Sequence, residues 1–122
     1  MEKLILSTLP KTWIFDIDGT LVKHNGYKID GHDTLLPEAA EYIRALPEED
    51  RIILFTSRTE EYRDMTIKFL EKNDIRYDVI LFNMPYGERI LVNDRKPSGI
   101  DMSVAVNMDR DCFQMPEISR EK

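Results

Sequence analysis

The sequence predicts an α/β domain, a Rossmann-like three-layer sandwich with a central parallel sheet. Two observations predict it. Short, apolar, largely β-branched runs each stop at a polar residue: 12–15 at Asp16, 51–55 at Thr56, 78–82 at Asn83, 89–92 at Asn93-Asp94 and 103–106 at Asn107. Nearly continuous apolar runs of this kind suit strands buried on both faces. Between some of them lie segments with helical apolar spacing, and strand–helix alternation makes a parallel sheet covered by helices. The chain has 122 residues, which suits one domain spanning 1–122 with no repeat, low-complexity segment or linker.

The elements follow in order. Run 12–15 is a buried strand whose Trp13 is a packing residue. Residues 20–35 are polar, contain Gly26 and Gly31, and carry Asn25-Gly26, the preferred pair of a tight hairpin. A β-hairpin flap is therefore expected there, with His24 and His32 facing solvent. Residues 36–46 form a helix: Pro37 stands early, acids follow, and Ala39, Tyr42, Ile43 and Leu46 share one face. The acidic run 47–50 reads as a solvated surface. Residues 59–73 form a second helix, with Thr59 as N-cap, Glu60 and Glu61 in the first turn, an apolar stripe of Tyr62, Met65, Phe69 and Leu70, and Asn73 as its stop. The tail, about 108–122, is charged and is expected to fray or dock on a neighbour.

Composition narrows the function. The net charge of −6 argues against a surface built to grip a nucleic-acid backbone, which needs clustered Lys and Arg. The lone Cys112 cannot form an internal disulfide, as expected of a reducing compartment and a cytoplasmic protein. The opening residues lack the apolar core of a signal peptide, and nothing approaches the ~20 apolar residues of a membrane span.

The polar strand ends carry the chemistry. In a parallel α/β sheet, ligands bind beyond the carboxyl ends of the strands. Asp16, Asp18, Thr56, Ser57, Asn93 and Asp94 are expected to converge there. Clustered carboxylates repel one another unless a divalent cation holds them, and all-oxygen ligands suit Mg²⁺, which recruits phosphate. Asp16, with Asp94 opposite, makes such a metal site. Gly19 and Thr20 place backbone N–H groups beside the acids, and Thr56 and Ser57 precede a helix start, a position that favours phosphate.

The stretch "WIFDIDGTLV" (13–22) resembles the first signature of the haloacid dehalogenase superfamily, Asp-x-Asp-x-Thr after a hydrophobic strand. "IILFTSR" (52–58) is similar to its second motif and "RILVNDRK" (89–96) to its fourth, so the resemblance runs from 12 to about 107. It implies a phosphohydrolase. Asp16 attacks phosphorus and becomes an aspartyl-phosphate. Asp18 protonates the leaving oxygen and then activates water. By the same resemblance, Asp16, the backbone carbonyl of Asp18 and Asp94 would hold Mg²⁺. Thr56 binds the phosphoryl group. The physical reasons are general: covalent catalysis splits one hard step into two, and positive groups stabilise the oxyanion. The family's third motif, a lysine often followed by proline, is replaced by Met84-Pro85. Lys96 is the first substitute, ahead of Arg89 and Lys72. The short connections leave no room for a cap domain. Similar capless members act on sugar phosphates and often assemble as tetramers, so a small phosphate ester and a homo-oligomer (tetramer or dimer) are expected partners.

Two other readings differ in class. One is a domain of the same fold that has lost activity and serves binding or assembly, which the missing lysine motivates. The other is a phospho-receiver signalling domain, whose accepting Asp ends a middle strand; here that strand ends in Thr56. Arg58 reads as a salt-bridge or surface residue, and Asp101 as surface.

Overall fold

The computed structural model describes residues 2–121. Its elements in chain order are β1 (Leu4–Leu6), β2 (Thr12–Asp16), α1 (Gly26–Ile29), α2 (Ala39–Arg44), β3 (Arg51–Phe55), a 3₁₀ turn (Glu60–Tyr62), α3 (Arg63–Lys72), β4 (Val79–Leu81) and β5 (Ile118–Arg120). The fold is α/β with parallel sheets: β2, β3 and β4 form one in that order, and β1 with β5 forms another.

Register explains the core. Trp13 lies opposite Ile52, Phe15 opposite Leu54, and Leu54 opposite Ile80, so these side chains share one face. Phe15, Ile52 and Leu54 pack there with Ala39, Ala40 and Ile43 of α2 and Leu70 of α3. Fully burying an aliphatic or aromatic side chain of this size contributes about 1.5–3 kcal/mol. The opposite face is open: Ile14 is 48% exposed, Val79 44% and Leu81 43%. Among the described residues α2 and α3 thus contribute to a single core on one face.

Runs 89–92 and 103–106 are not strands. Ile90 and Val92 are 84% and 87% exposed. The cause is the turn after β4. Asn83 adopts the left-handed region at φ 61°. Its N–H donates to the Arg58 carbonyl and that of Met84 to the Thr56 carbonyl, which leads the chain out of the sheet. The flap also differs from a β-hairpin. A type I′ turn needs positive φ at both central residues; Asn25 has it, at 56°, and Gly26 does not. The segment instead winds into α1, closed below by a single antiparallel bridge from Val22 to Leu35. The first predicted helix is shorter than 36–46, since Glu38 at φ 73° delays its start to Ala39.

The tail docks on its own chain. β5 pairs in parallel with β1, Leu4 facing Ile118 and Leu6 facing Arg120. Asp50, expected on a solvated surface, is fully buried. Its carboxylate accepts from the Lys11 amide at 3.0 Å and from Trp13 Nε1 at 2.9 Å. This one side chain ties the start of β2 to the start of β3. Burial pushes its carboxyl up, but the Trp13 and Lys11 hydrogen bonds and the Arg120 and Lys11 charges outweigh that and hold it below the usual carboxylate range.

Candidate active site

Strand alternation builds the first part of the site. Ile17 is buried in the core. Asp16 and Asp18, one residue to either side of it, share the other side of the chain. The Ile17 carbonyl then accepts from the N–H groups of Thr20, Leu21 and Val22, which folds 17–22 into a tight turn. Gly19 serves that turn at φ 83°, and a Cβ there would stand 3.2 Å from Arg110 Cγ. Its N–H donates to the Val22 carbonyl at 2.7 Å, and Thr20 N–H to Ile17 at 3.2 Å. Neither amide is free for an anion in this arrangement.

Asp16 ends β2 and accepts a hydrogen bond from Thr20 Oγ1 at 3.1 Å. Burial pushes its carboxyl above the usual range. The Thr20 bond and the Arg89 charge pull it down, and Asp18 pushes it up. Thr56, fully buried just past β3, donates Oγ1 to Asp18 Oδ2 at 3.3 Å and accepts the Arg58 amide at 3.1 Å. The predicted site residues Asp16, Asp18 and Thr56 are therefore brought together. Ser57 lies beside them, and its Oγ accepts from Arg89 Nη2 at 3.4 Å. The Arg89 guanidinium also sits 4.6 Å from the centre of the Phe55 ring. Arg89 is thus the missing-lysine candidate that the fold brings to this edge.

Lys96 and Asp94 lie elsewhere. The Lys96 amide donates to the Ile100 carbonyl. Asp94 is exposed, hydrogen-bonded to Asn93, and lines a shallow depression with Arg95 and Asp101, which pair at 2.6 Å. Lys72 is exposed at the last residue of α3. Among the described residues no three His, Cys, Asp or Glu side chains gather into a metal-holding group. The Mg²⁺ triad of Asp16, Asp18 and Asp94 does not fit this arrangement, because the chain carrying Asp94 does not run beside β2.

Arg58 is the centre of the site. It is 3% exposed, and it supports the salt-bridge reading of that residue. Its Nε and Nη2 donate to Asp18 Oδ2 and Oδ1 at 3.1 and 2.8 Å. Nη1 and Nη2 donate to Asp33 Oδ2 and Oδ1 at 3.0 and 2.6 Å, and Nη1 donates to Thr66 Oγ1 at 2.9 Å. Tyr27 of α1 stacks on the guanidinium at 3.9 Å. Burial opposes its charge, and the hydrogen bonds to Asp18 and Asp33 more than offset that. Asp33 and Tyr27 come from the flap and carry no site signal in the sequence. A second unforeseen tether comes from the tail. The Asp111 N–H donates to the Gly19 carbonyl at 2.8 Å, and Asp111 Oδ1 accepts the His24 amide at 2.7 Å.

No family model matches the sequence, and no curated protein matches it. Two solved chains do. One, from "Structure of Pnkp1/Rnl/Hen1 complex", is 32% identical, with a TM-score of 0.53, over 68% of this chain and 31% of that one. The other, from "Structure of the Pnkp1/Rnl/Hen1 RNA repair complex", is 33% identical, with a TM-score of 0.53, over 69% of this chain and 29% of its own. This chain therefore spans less than a third of the solved chains it resembles.

Proposed function

We propose that this chain is a phosphomonoester hydrolase of haloacid dehalogenase type that works through an aspartyl-phosphate. The observation that carries the reading is the pairing of Asp16 and Asp18 on one side of a turn at the carboxyl edge of a parallel sheet, with the Thr56 hydroxyl reaching Asp18 from the next strand. Asp16 Oδ attacks phosphorus as the bond from phosphorus to the ester oxygen breaks. Asp18 gives the leaving oxygen a proton. Water then attacks phosphorus and returns a proton to Asp18, which frees Asp16 and inorganic phosphate. Arg89 supplies positive charge to the phosphoryl oxygens.

The fourth-motif likeness implies Mg²⁺, which Asp94 would hold together with Asp16 only where 89–92 runs beside β2. A complete Rossmann-like sheet, with 89–92 as a fourth strand on the free edge of β2, would carry Asp94 to Asp16. Hydrogen exchange of residues 89–94 with and without Mg²⁺ tests that: protection on adding Mg²⁺ supports it, and unchanged exchange opposes it.

The substrate is a small phosphorylated metabolite such as a sugar phosphate. A second reading, a phosphate at an RNA end, is favoured by the likeness to chains of an RNA repair complex. The test is phosphate release from a generic aryl phosphate, a sugar-phosphate panel, nucleotides and end-phosphorylated oligoribonucleotides, with Mg²⁺ and with EDTA. Wild type should exceed Asp16→Asn, and the preferred substrate chooses between the readings. No turnover above the variant on any of them leaves a binding or assembly domain.

A further inference from the structure

We propose that Arg58 is the positioning residue of this site, fixing the Asp18 carboxylate for proton transfer and fastening the flap over it; the proposal rests on the phosphohydrolase reading above. A guanidinium has five N–H donors, and here all are spent on Asp18, Asp33 and Thr66. Arg58 therefore has no donor left for a phosphoryl oxygen. What it has is a two-pronged grip on both Asp18 oxygens, the geometry that fixes a carboxylate plane. The same guanidinium is gripped from behind by Asp33, whose side chain is 2% exposed, and is faced by Tyr27. The orientation of Asp18 is thus set by the flap through Arg58. Thr56 adds a third contact, to the same Asp18 Oδ2 that Arg58 Nε holds.

Arg58 acts through Asp18, so its loss should imitate loss of Asp18. The importance of a proton donor depends on the leaving group: 4-nitrophenolate departs without one, and an alkoxide does not. In Arg58→Lys, which keeps the charge and loses the fork, turnover of an alkyl phosphate should fall about 100-fold. Turnover of 4-nitrophenyl phosphate should fall far less, with KM little changed in both cases. Asp18→Asn should show the same skew, and the double variant should be no slower than Asp18→Asn alone. Equal losses on both substrates, or additive losses in the double variant, overturn the proposal, since a merely structural role moves both substrates together. Circular dichroism checks folding. If Arg58→Lys does not fold, Asp33→Asn carries the test: it should show a milder skew in the same direction, and an unchanged ratio overturns the proposal. Turnover of no substrate by wild type overturns the phosphohydrolase reading, and this proposal with it; turnover by wild type with an unskewed Arg58→Lys overturns this proposal alone.

Discussion

Replacing Asp50 by Asn should destabilise the fold at neutral pH and hardly at all in acid. The Asp50 carboxylate accepts from two buried donors, the Lys11 amide and the Trp13 indole. An Asn side chain of the same shape offers one oxygen and one NH₂, so one of those donors meets another donor. Hydrogen bonds to a charged group contribute about 1.5–3 kcal/mol each, and an orphaned buried donor costs about 1–3 kcal/mol. The expected loss is about 2–4 kcal/mol, or on the order of 10–20 °C in Tm for a chain of this size. The pH dependence is fixed in sign. Burial raises the Asp50 carboxyl, but its hydrogen bonds and the nearby Arg120 and Lys11 charges hold it below the ordinary range. A depressed carboxyl contributes above its unfolded value of about 3.9 and loses the contribution as pH falls through its folded value. Thermal and denaturant unfolding of wild type and Asp50→Asn, in a series from pH 7 downward, measure this. An unchanged midpoint at pH 7 refutes the role of Asp50 as the tie between β2 and β3. A gap that does not narrow as pH falls through the folded value of Asp50 refutes the ionic part.

Three further outcomes are expected. Arg89→Met should lower kcat/KM at least tenfold, about 1.4 kcal/mol of barrier, while Lys96→Met changes it little; the reverse order in steady-state kinetics returns the cation role to Lys96. Asp16→Asn should abolish phosphate release yet stabilise the fold by roughly 0.5–2 kcal/mol at pH 7. Burial raises the Asp16 carboxyl, so wild type loses stability as pH rises past the unfolded value, and the variant's advantage should vanish below about pH 4 in a Tm–pH series. Thr56→Val should cost about 1–3 kcal/mol, because it orphans the buried Arg58 amide as well as removing the Asp18 contact; chemical denaturation measures the loss.

The strands carrying Asp16 and Thr56 were legible because a continuous apolar run with an abrupt polar end is a local signal. So was α3, whose stripe survives almost to its predicted end, although its first turn is 3₁₀. The Asp16–Asp18–Thr56 grouping followed from the parallel topology, which puts the ends of neighbouring strands together. Arg58 was misjudged in importance because its partners lie 40 and 25 positions away in sequence, and nothing local names Asp33 as one of them. Asp50 sits in an acidic run that looks like any solvated one, and only the folded chain brings the Trp13 indole to it. Runs 89–92 and 103–106 mark the opposite failure. Strand propensity records how well a side chain fits a pleated, half-buried surface, and it cannot say whether a neighbour is in place. The flap pair Asn25-Gly26 was ambiguous for a similar reason: both a hairpin and a short helix can start from it, and Tyr27 packing on Arg58 and Tyr62 accompanies the helix.

The carboxyl-terminal segment works as a belt. It runs from Asp111 on the Gly19 turn, past Phe113 against Tyr42, to β5 buckled beside β1. Cutting it at residue 108 would remove the clasp on the turn that holds Asp18, as well as the partner of β1. A segment far away in sequence thus closes the turn beside Asp16 and Asp18.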